Sequence, residues 1–262
     1  MSIQGDFTAH RVWEKILPEL VPQRELEPLA LEAELQSKQP VKAANTSGSS
    51  ENSALREQNH QVHASTLSIS NLHNHGELFI SFLRARREVF ICQKGWDLPE
   101  VDGMEFDQYD TPRARWLVLH EFGEVLGGVR LTPTTSQCGC YSYMVRDAQL
   151  GLIDSIPRDV LFFKAPVAPT IWEATRLFLS PNIPSTRRAS LQRLLLDEMA
   201  EAAALLGADH VIGIVPAVFS KWMTRLGLLS ALQVGPIMNI DGERSQAALM
   251  RVRSPSGSIA EK

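Results

Sequence analysis

Helices packed on a mixed, mainly antiparallel sheet are the architecture this sequence predicts, and three features predict it. Two strand candidates, 115–121 and 125–131, flank Gly123 and Glu124 at the spacing of an antiparallel hairpin. A long helical pattern over 185–206 separates two further strands, at 170–179 and 210–215, and so demands a crossover. A last strand pair falls at 234–240 and 247–252. Hairpins combined with a crossover give a mixed sheet, in an α/β/α sandwich, rather than a purely parallel one.

Compact domains run to about 100–200 residues, so a chain of 262 residues holds one such domain and an appendage. Residues 1–36 read as an amphipathic helical extension, with Val12, Trp13, Ile16, Leu17 and Leu20 at helical spacing and Pro18 and Pro22 interrupting. Residues 37–70 are rich in Ser, Asn, Gln, Ala and Lys and poor in large apolar residues. They have little surface to bury against the entropy of ordering and read as a disordered linker. The folded domain is expected over 71–255.

Within that domain a helical run carries Phe79, Phe82, Leu83, Val89 and Phe90 and gives way to a polar loop and then the hairpin, with Arg130 near its far end. In the strand 170–179, strict alternation puts Glu173 and Thr175 on one face and Trp172, Ala174 and Arg176 on the other, unless a bulge changes the phase. Ser185 or Thr186 can cap the long helix, and Gly207 closes it. A short helix over 219–226 ends at Gly227.

A net charge of −4 and an ordinary apolar fraction of 44% call for neither a nucleic-acid nor a membrane partner. Cys92, Cys138 and Cys140 cannot pair completely and lack metal-ligand spacing, so they read as reduced thiols in a cytoplasmic protein with no metal site. No apolar stretch approaches the roughly 18 residues of a membrane span.

The informative text is Arg86-Arg87-Glu88-Val89-Phe90, then Gly95-Trp96, then Met104-Glu105-Phe106-Asp107-Gln108-Tyr109-Asp110. Taken singly these are a surface arginine, core aromatics and turn carboxylates. Together with Arg130, Glu173 and Arg176, the set Arg86, Phe90, Trp96, Asp107 and Asp110 resembles the signature of the acyl-homoserine-lactone synthases in residue type, order and spacing. The match covers about 78–229. It implies a fold similar to that of the GNAT acetyltransferases, a catalytic domain over 71–255, and synthesis of an N-acyl-L-homoserine lactone quorum-sensing signal. S-adenosylmethionine is then a substrate, with no separate cofactor. The acyl donor is a thioester on acyl carrier protein or coenzyme A, and methylthioadenosine is released.

That chemistry assigns tasks to the residues. The sulfonium is a cation that the faces of Phe90 and Trp96 can attract. The substrate's carboxylate suits Arg86, Arg130 or Arg176, and its ammonium suits Asp107 and Asp110. A carboxylate beside an amine favours the protonated, non-nucleophilic form, so a base is needed. Glu173 is the candidate, directly or through one water; the bland alternative is an ion pair with Arg130 or Arg176. Oxyanion stabilisation is expected from a backbone amide of a bulged strand near residues 176–178.

The resemblance further implies that Thr175, Phe178 and Gly213 border the acyl chain; Gly213 stands at the family position often occupied by Thr in enzymes preferring 3-oxo chains and offers no hydroxyl, which favours an unsubstituted or unusual chain. Arg187, Arg188, Lys221 and Arg225 could receive an acidic carrier or the phosphates of coenzyme A. Departures from the family pattern are Leu177, where relatives usually carry Phe, and the longer stretch 136–167 with Cys138-Gly139-Cys140. Two rivals remain: a GNAT-like enzyme that acylates another amine without the sulfonium, and a catalytically silent binding module. Oligomeric state stays open.

Overall fold

A computed structural model describes residues 62–219, 223 and 231–252. The helical extension 1–36, the linker up to residue 61, and all but Phe219 and Met223 of the short helix 219–226 lie outside the described residues. So do Lys221 and Arg225.

The elements are β1 (His63–Leu67), α1 (Leu78–Arg87), β2 (Glu100–Val101), β3 (Met104–Glu105), β4 (Arg115–Glu121), β5 (Glu124–Pro133), α2 (Met144–Leu150), β6 (Ile171–Leu179), α3 (Ser185–Leu205), β7 (His210–Pro216), β8 (Ala231–Gln233), β9 (Met238–Ile240) and β10 (Glu243–Arg251). The main sheet runs β1-β4-β5-β6-β7-β10-β8, with β9 also on β10, while β2 and β3 pair apart from it. Every pair in the main sheet is antiparallel except β6 with β7, the pair joined across α3. The mixed, mainly antiparallel sheet expected from the sequence is therefore what forms, with helices packed against it.

Strand β4 shows how the sheet acquires two covered faces. Leu117 and Leu119 pack into the cluster beneath α3, with Leu195, Met199 and Ala203. Trp116 and Val118, one residue out of phase, pack beneath α1 with Phe82 and Leu83. A third cluster joins α2 and the segment after it to β7 and β10 through Tyr143, Val145, Ile156, Ile212 and Leu249. Gly128 lets α1 lie directly on the sheet. A Cβ there would stand 2.4 Å from the Leu117 carbonyl oxygen and 2.7 Å from the Phe82 ring.

Several expectations shift by small amounts for identifiable reasons. The hairpin turns at Phe122 and Gly123, whose φ values of 50° and 84° are those of a type I′ turn, one residue before the expected position. Helix α3 takes Pro184 as its N-cap, with no side-chain capping bond from Ser185 or Thr186. Its C-terminus closes as expected at Gly207 (φ 85°), where the Ala208 N–H donates to the Ala203 carbonyl at 2.9 Å. The C-terminal pair resolves into β8 and β9, both lying on β10.

Strand β1 corrects the linker expected over 37–70. Residues 63–67 pair with β4 from His63↔His120 to Leu67↔Trp116. Composition missed this strand because it is held by ladder hydrogen bonds and buries one large apolar side chain, Leu67.

Two irregularities set the backbone around Phe90 and Glu173. After Arg87 the helix widens into a π-helical turn, Glu88–Gln93, which carries Phe90, and the chain reverses at Gly95 (φ 69°). Strand β6 pairs with β7 only from Ile171↔His210 to Glu173↔Ile212, although β6 runs on to Leu179 and β7 to Pro216. Beyond Glu173 the two strands part.

Gly128→Ala should destabilise the protein by about 1–3 kcal/mol, the usual penalty for an extra carbon in a filled interior. Urea unfolding monitored by Trp fluorescence reads this, and an unchanged midpoint would mean that α1 does not rest directly on β5.

Candidate active site

Six buried ionisable side chains, three arginines and three carboxylates, meet where α1, the β3–β4 loop, β5 and β6 converge. Arg86, from the last turn of α1, donates two hydrogen bonds to Asp110 at 2.8 and 3.0 Å and another to Glu105. Arg130, on β5, pairs with Asp107 and Asp110, the latter at 3.0 Å, and its Nε donates to the Thr175 hydroxyl at 2.9 Å. Arg176 donates to Glu105 at 3.1 and 3.2 Å and to Asp107 at 2.9 Å. Arg86, Arg130 and Glu105 are fully enclosed.

Local structure presents these groups correctly. Asp107 Oδ1 accepts the Tyr109 N–H at 2.8 Å, and Asp110 Oδ2 accepts the Asp107 N–H at 3.0 Å, so the loop is stitched by the same carboxylates that meet the arginines. The Trp116 indole donates to Asp110 at 2.9 Å. On β6 the register slips: Gly128 faces Phe178 and Arg130 faces Thr175, leaving Arg176 and Leu177 opposite Val129. Arg176 has φ 55°, outside the usual range for a side-chain-bearing residue. This bulge turns Arg176 onto the face of Thr175 and Arg130, where strict alternation would have sent it to the other side.

Burial pushes the Asp107 and Asp110 carboxyls up, but the guanidiniums around them more than offset it, and both are held below the ordinary carboxylate value. Glu173 is the opposite case. Burial raises its carboxyl to about 7, against the pull of the Val145 and Met144 N–H groups that it accepts at 2.7 and 2.9 Å. Those amides open α2, so Glu173 caps that helix in place of the ion pair with Arg130 or Arg176.

Where β6 and β7 part, a cavity of about 480 Å³ opens. Phe90, Trp96, Asp107 and Arg176 line it, together with Thr175, Phe178, Gly213 and Arg188. Phe90 and Trp96 stack with centroids 5.2 Å apart. The remainder of the wall is largely apolar, with Leu177, Leu195, Leu196, Met199, Val215 and Met250. Arg86, Asp110, Arg130 and Glu173 are not part of the wall; they stand behind it. The arginines expected to meet a carboxylate directly are thus already engaged, and of the three only Arg176 reaches the cavity.

Other expectations are modified in place. Gly213 lines the cavity, and a Cβ there would lie 2.6 Å from the Ala174 carbonyl oxygen, so its lack of a side chain is also a packing requirement. Arg187 pairs with Glu121 at 3.0 and 3.1 Å, and Arg188 lines the cavity. All three cysteines are free and exposed. Among the described residues no helix is long and apolar enough to cross a membrane.

Sequence reasoning missed Glu105, the third carboxylate. The run Met104-Glu105-Phe106-Asp107 alternates, which places Glu105 and Asp107 on one side, and that signal was available. Asp147 was also missed. It accepts the Tyr109 hydroxyl at 3.1 Å and the Ser142 N–H at 2.8 Å, and it sits in the stretch 136–167 that departs from the family pattern.

A family profile described as autoinducer synthase matches residues 70–255. An acyl-homoserine-lactone synthase of Pseudomonas fluorescens is 30% identical over 196 residues, covering 71% of this chain and 90% of that protein. Among solved structures, TofI in a ternary complex with an inhibitor and MTA superposes with a TM-score of 0.57 at 27% identity, covering 73% of this chain and 91% of that one. LasI, an AHL synthase, has the same fold, with a TM-score of 0.59 at 22% identity, covering 73% of this chain and 90% of that one.

The Glu173 environment has a measurable consequence. Its folded value of about 7 lies above the ordinary 4.5, so its contribution to stability is fully present below about pH 4.5 and is lost as pH rises towards 7. Asp107 and Asp110 act in the other sense, stabilising above their ordinary range and losing this as pH falls. Glu173→Gln should therefore flatten the decline in unfolding free energy between about pH 5 and pH 7 and leave the acid limb in place. Urea titrations across that window decide it; parallel curves for variant and wild type would show that Glu173 titrates normally.

Proposed function

The chain belongs to the autoinducer synthase family, and on that footing we propose how its cavity makes an N-acyl-L-homoserine lactone from S-adenosylmethionine and an acyl thioester. The observation that carries the reading is one cavity whose wall combines two chemically distinct sets of side chains. The first is aromatic and charged, made up of Phe90, Trp96, Asp107 and Arg176. The second is apolar, made up of Leu195, Met199, Val215 and Met250.

Within the charged set the stacked Phe90 and Trp96 lie beside the sulfonium, Asp107 receives the ammonium and Arg176 the carboxylate. Arg86, Asp110 and Arg130 fix Asp107 and Arg176 from behind and do not touch the substrate. The amine must lose a proton before it can attack the thioester carbonyl. Glu173 accepts it through one water, since its carboxyl at about 7 is matched to neutral pH and its oxygens keep lone pairs beyond those taken by the two amides. Backbone N–H groups of the bulge at residues 176–178 stabilise the oxyanion of the tetrahedral intermediate.

Collapse of that intermediate expels the donor thiolate and leaves the amide. The substrate's carboxylate oxygen then attacks the carbon bonded to sulfur, closing the five-membered ring as the C–S electron pair leaves with methylthioadenosine. The acyl chain follows the apolar wall past Thr175, Phe178 and Gly213. The missing hydroxyl at Gly213 favours a chain without a 3-oxo group. The thiol end of the donor, whether on a carrier protein or coenzyme A, leaves past Arg188.

Incubating the protein with S-adenosylmethionine and a panel of acyl-carrier-protein and acyl-CoA donors should release methylthioadenosine only when a donor is present. Acyl transfer to another amine without methylthioadenosine would support the sulfonium-independent acyltransferase instead, and inactivity with every donor would support a silent relative. Glu173→Gln should lower kcat by about 100-fold or more and remove the acid limb of the rate–pH profile near 7. A retained limb would take Glu173 out of the proton path.

A further inference from the structure

The aromatic pair of the cavity already has cations against it. Arg176 lies 5.6 Å from the Phe90 ring centroid, and its guanidinium is anchored through Nε and Nη2 to Glu105 and Asp107. Lys94 is held far more loosely. Its ammonium sits 4.7 Å from the Trp96 ring centroid and is gripped by the two carboxylate oxygens of Glu243, at 2.9 and 3.0 Å. Lys94, Trp96 and Glu243 all line the cavity. The lysine comes from the chain just after the π-helical turn, and the glutamate opens β10 after the Asp241-Gly242 reversal.

Three features of this contact matter together. The Lys94 and Glu243 side chains are 32% and 43% exposed, so the pair is solvent-screened and adds little to stability. A lysine ammonium on its flexible four-carbon stem is easily moved, unlike the enclosed guanidiniums behind it. Finally, the ring it covers is one of the two assigned to the sulfonium, and two like charges at ring-contact distance repel in a partly desolvated cavity.

Resting on that functional reading, we propose that Lys94 is a resident stand-in for the sulfonium, occupying Trp96 while the substrate is absent and displaced from it when S-adenosylmethionine binds. The site thereby reads the charge on sulfur. A trivalent, positively charged sulfur must evict Lys94, and a neutral thioether need not. When the substrate's carboxylate oxygen bonds to carbon and the C–S electron pair passes to sulfur, the rival charge vanishes and Lys94 returns to the ring.

The test is calorimetric titration of the full chain, as wild type, Lys94→Met and Lys94→Arg, with S-adenosylmethionine and with methylthioadenosine. Lys94→Met should bind S-adenosylmethionine about three- to tenfold more tightly than wild type, in the range of a partly exposed cation–π contact. Its affinity for methylthioadenosine should stay within about twofold, and Lys94→Arg, which keeps the cation, should behave as wild type for both ligands. Weaker binding of S-adenosylmethionine by Lys94→Met would overturn the inference, because Lys94 would then be holding the substrate itself. Equal shifts for the two ligands, or no shift at all, would overturn it as well. Failure of wild type and both variants to bind S-adenosylmethionine would remove the functional reading and this inference with it, whereas binding indifferent to residue 94 removes the inference alone.

Discussion

Pairing of three buried arginines with three buried carboxylates is the constraint on which the site depends. Removing an ion from water costs several kcal/mol even after relaxation, and only close pairing with further hydrogen bonds makes that tolerable. Arg86, Arg130, Arg176, Glu105, Asp107 and Asp110 meet the condition with formal charges in balance and with the Trp116 indole and Thr175 hydroxyl adding hydrogen bonds. No member can move alone without leaving a buried charge unpaired. The end of α1, the loop carrying Asp107, and strands β5 and β6 are therefore locked in one mutual arrangement. The left-handed backbone at Arg176 belongs to the same arrangement, because only a bulge brings that guanidinium to Asp107.

Much of the fold was legible because its signals are local. Strand β4 coincides with its predicted bounds, since apolar residues on both faces and a turn immediately after it leave no other reading. Helix α3 was equally plain, with its long Leu, Met and Ala pattern ended by a glycine. Strand β1 was not, because its stability comes from a partner strand 49 to 57 residues away in sequence, from Leu67↔Trp116 to His63↔His120, rather than from its own composition. The last strands were blurred for a similar reason: Gly235 and Pro236 break what looked like one run, and pairing with β10 determines what survives.

The site shows the same division. Residue types and spacings identified the constellation, and every member falls in or directly behind one cavity. Sequence could not show which charges face outward and which face one another. Periodicity assigns a face, while pairing depends on where other elements arrive. Glu173 illustrates this, since the amides that occupy it belong to α2, which grows from the stretch least like the family pattern. The cavity itself has a backbone origin: parallel pairing of β6 with β7 stops at Glu173, and both strands continue apart.

Strand β1 lies upstream of the family match, which begins at residue 70, and it is the sheet's outermost strand on the α1 side. A fragment cut at that boundary would keep every residue of the cavity wall and lose the strand that covers β4. Laid bare would be a seven-residue strand with Trp116, Leu117, Val118 and Leu119 at its centre and its ladder N–H and C=O groups unmet. An uncovered edge of that kind is a template for pairing with another copy. A cut at residue 70 would therefore leave the cavity wall intact and move the sheet's edge from β1, which buries one large apolar side chain, to the more apolar β4.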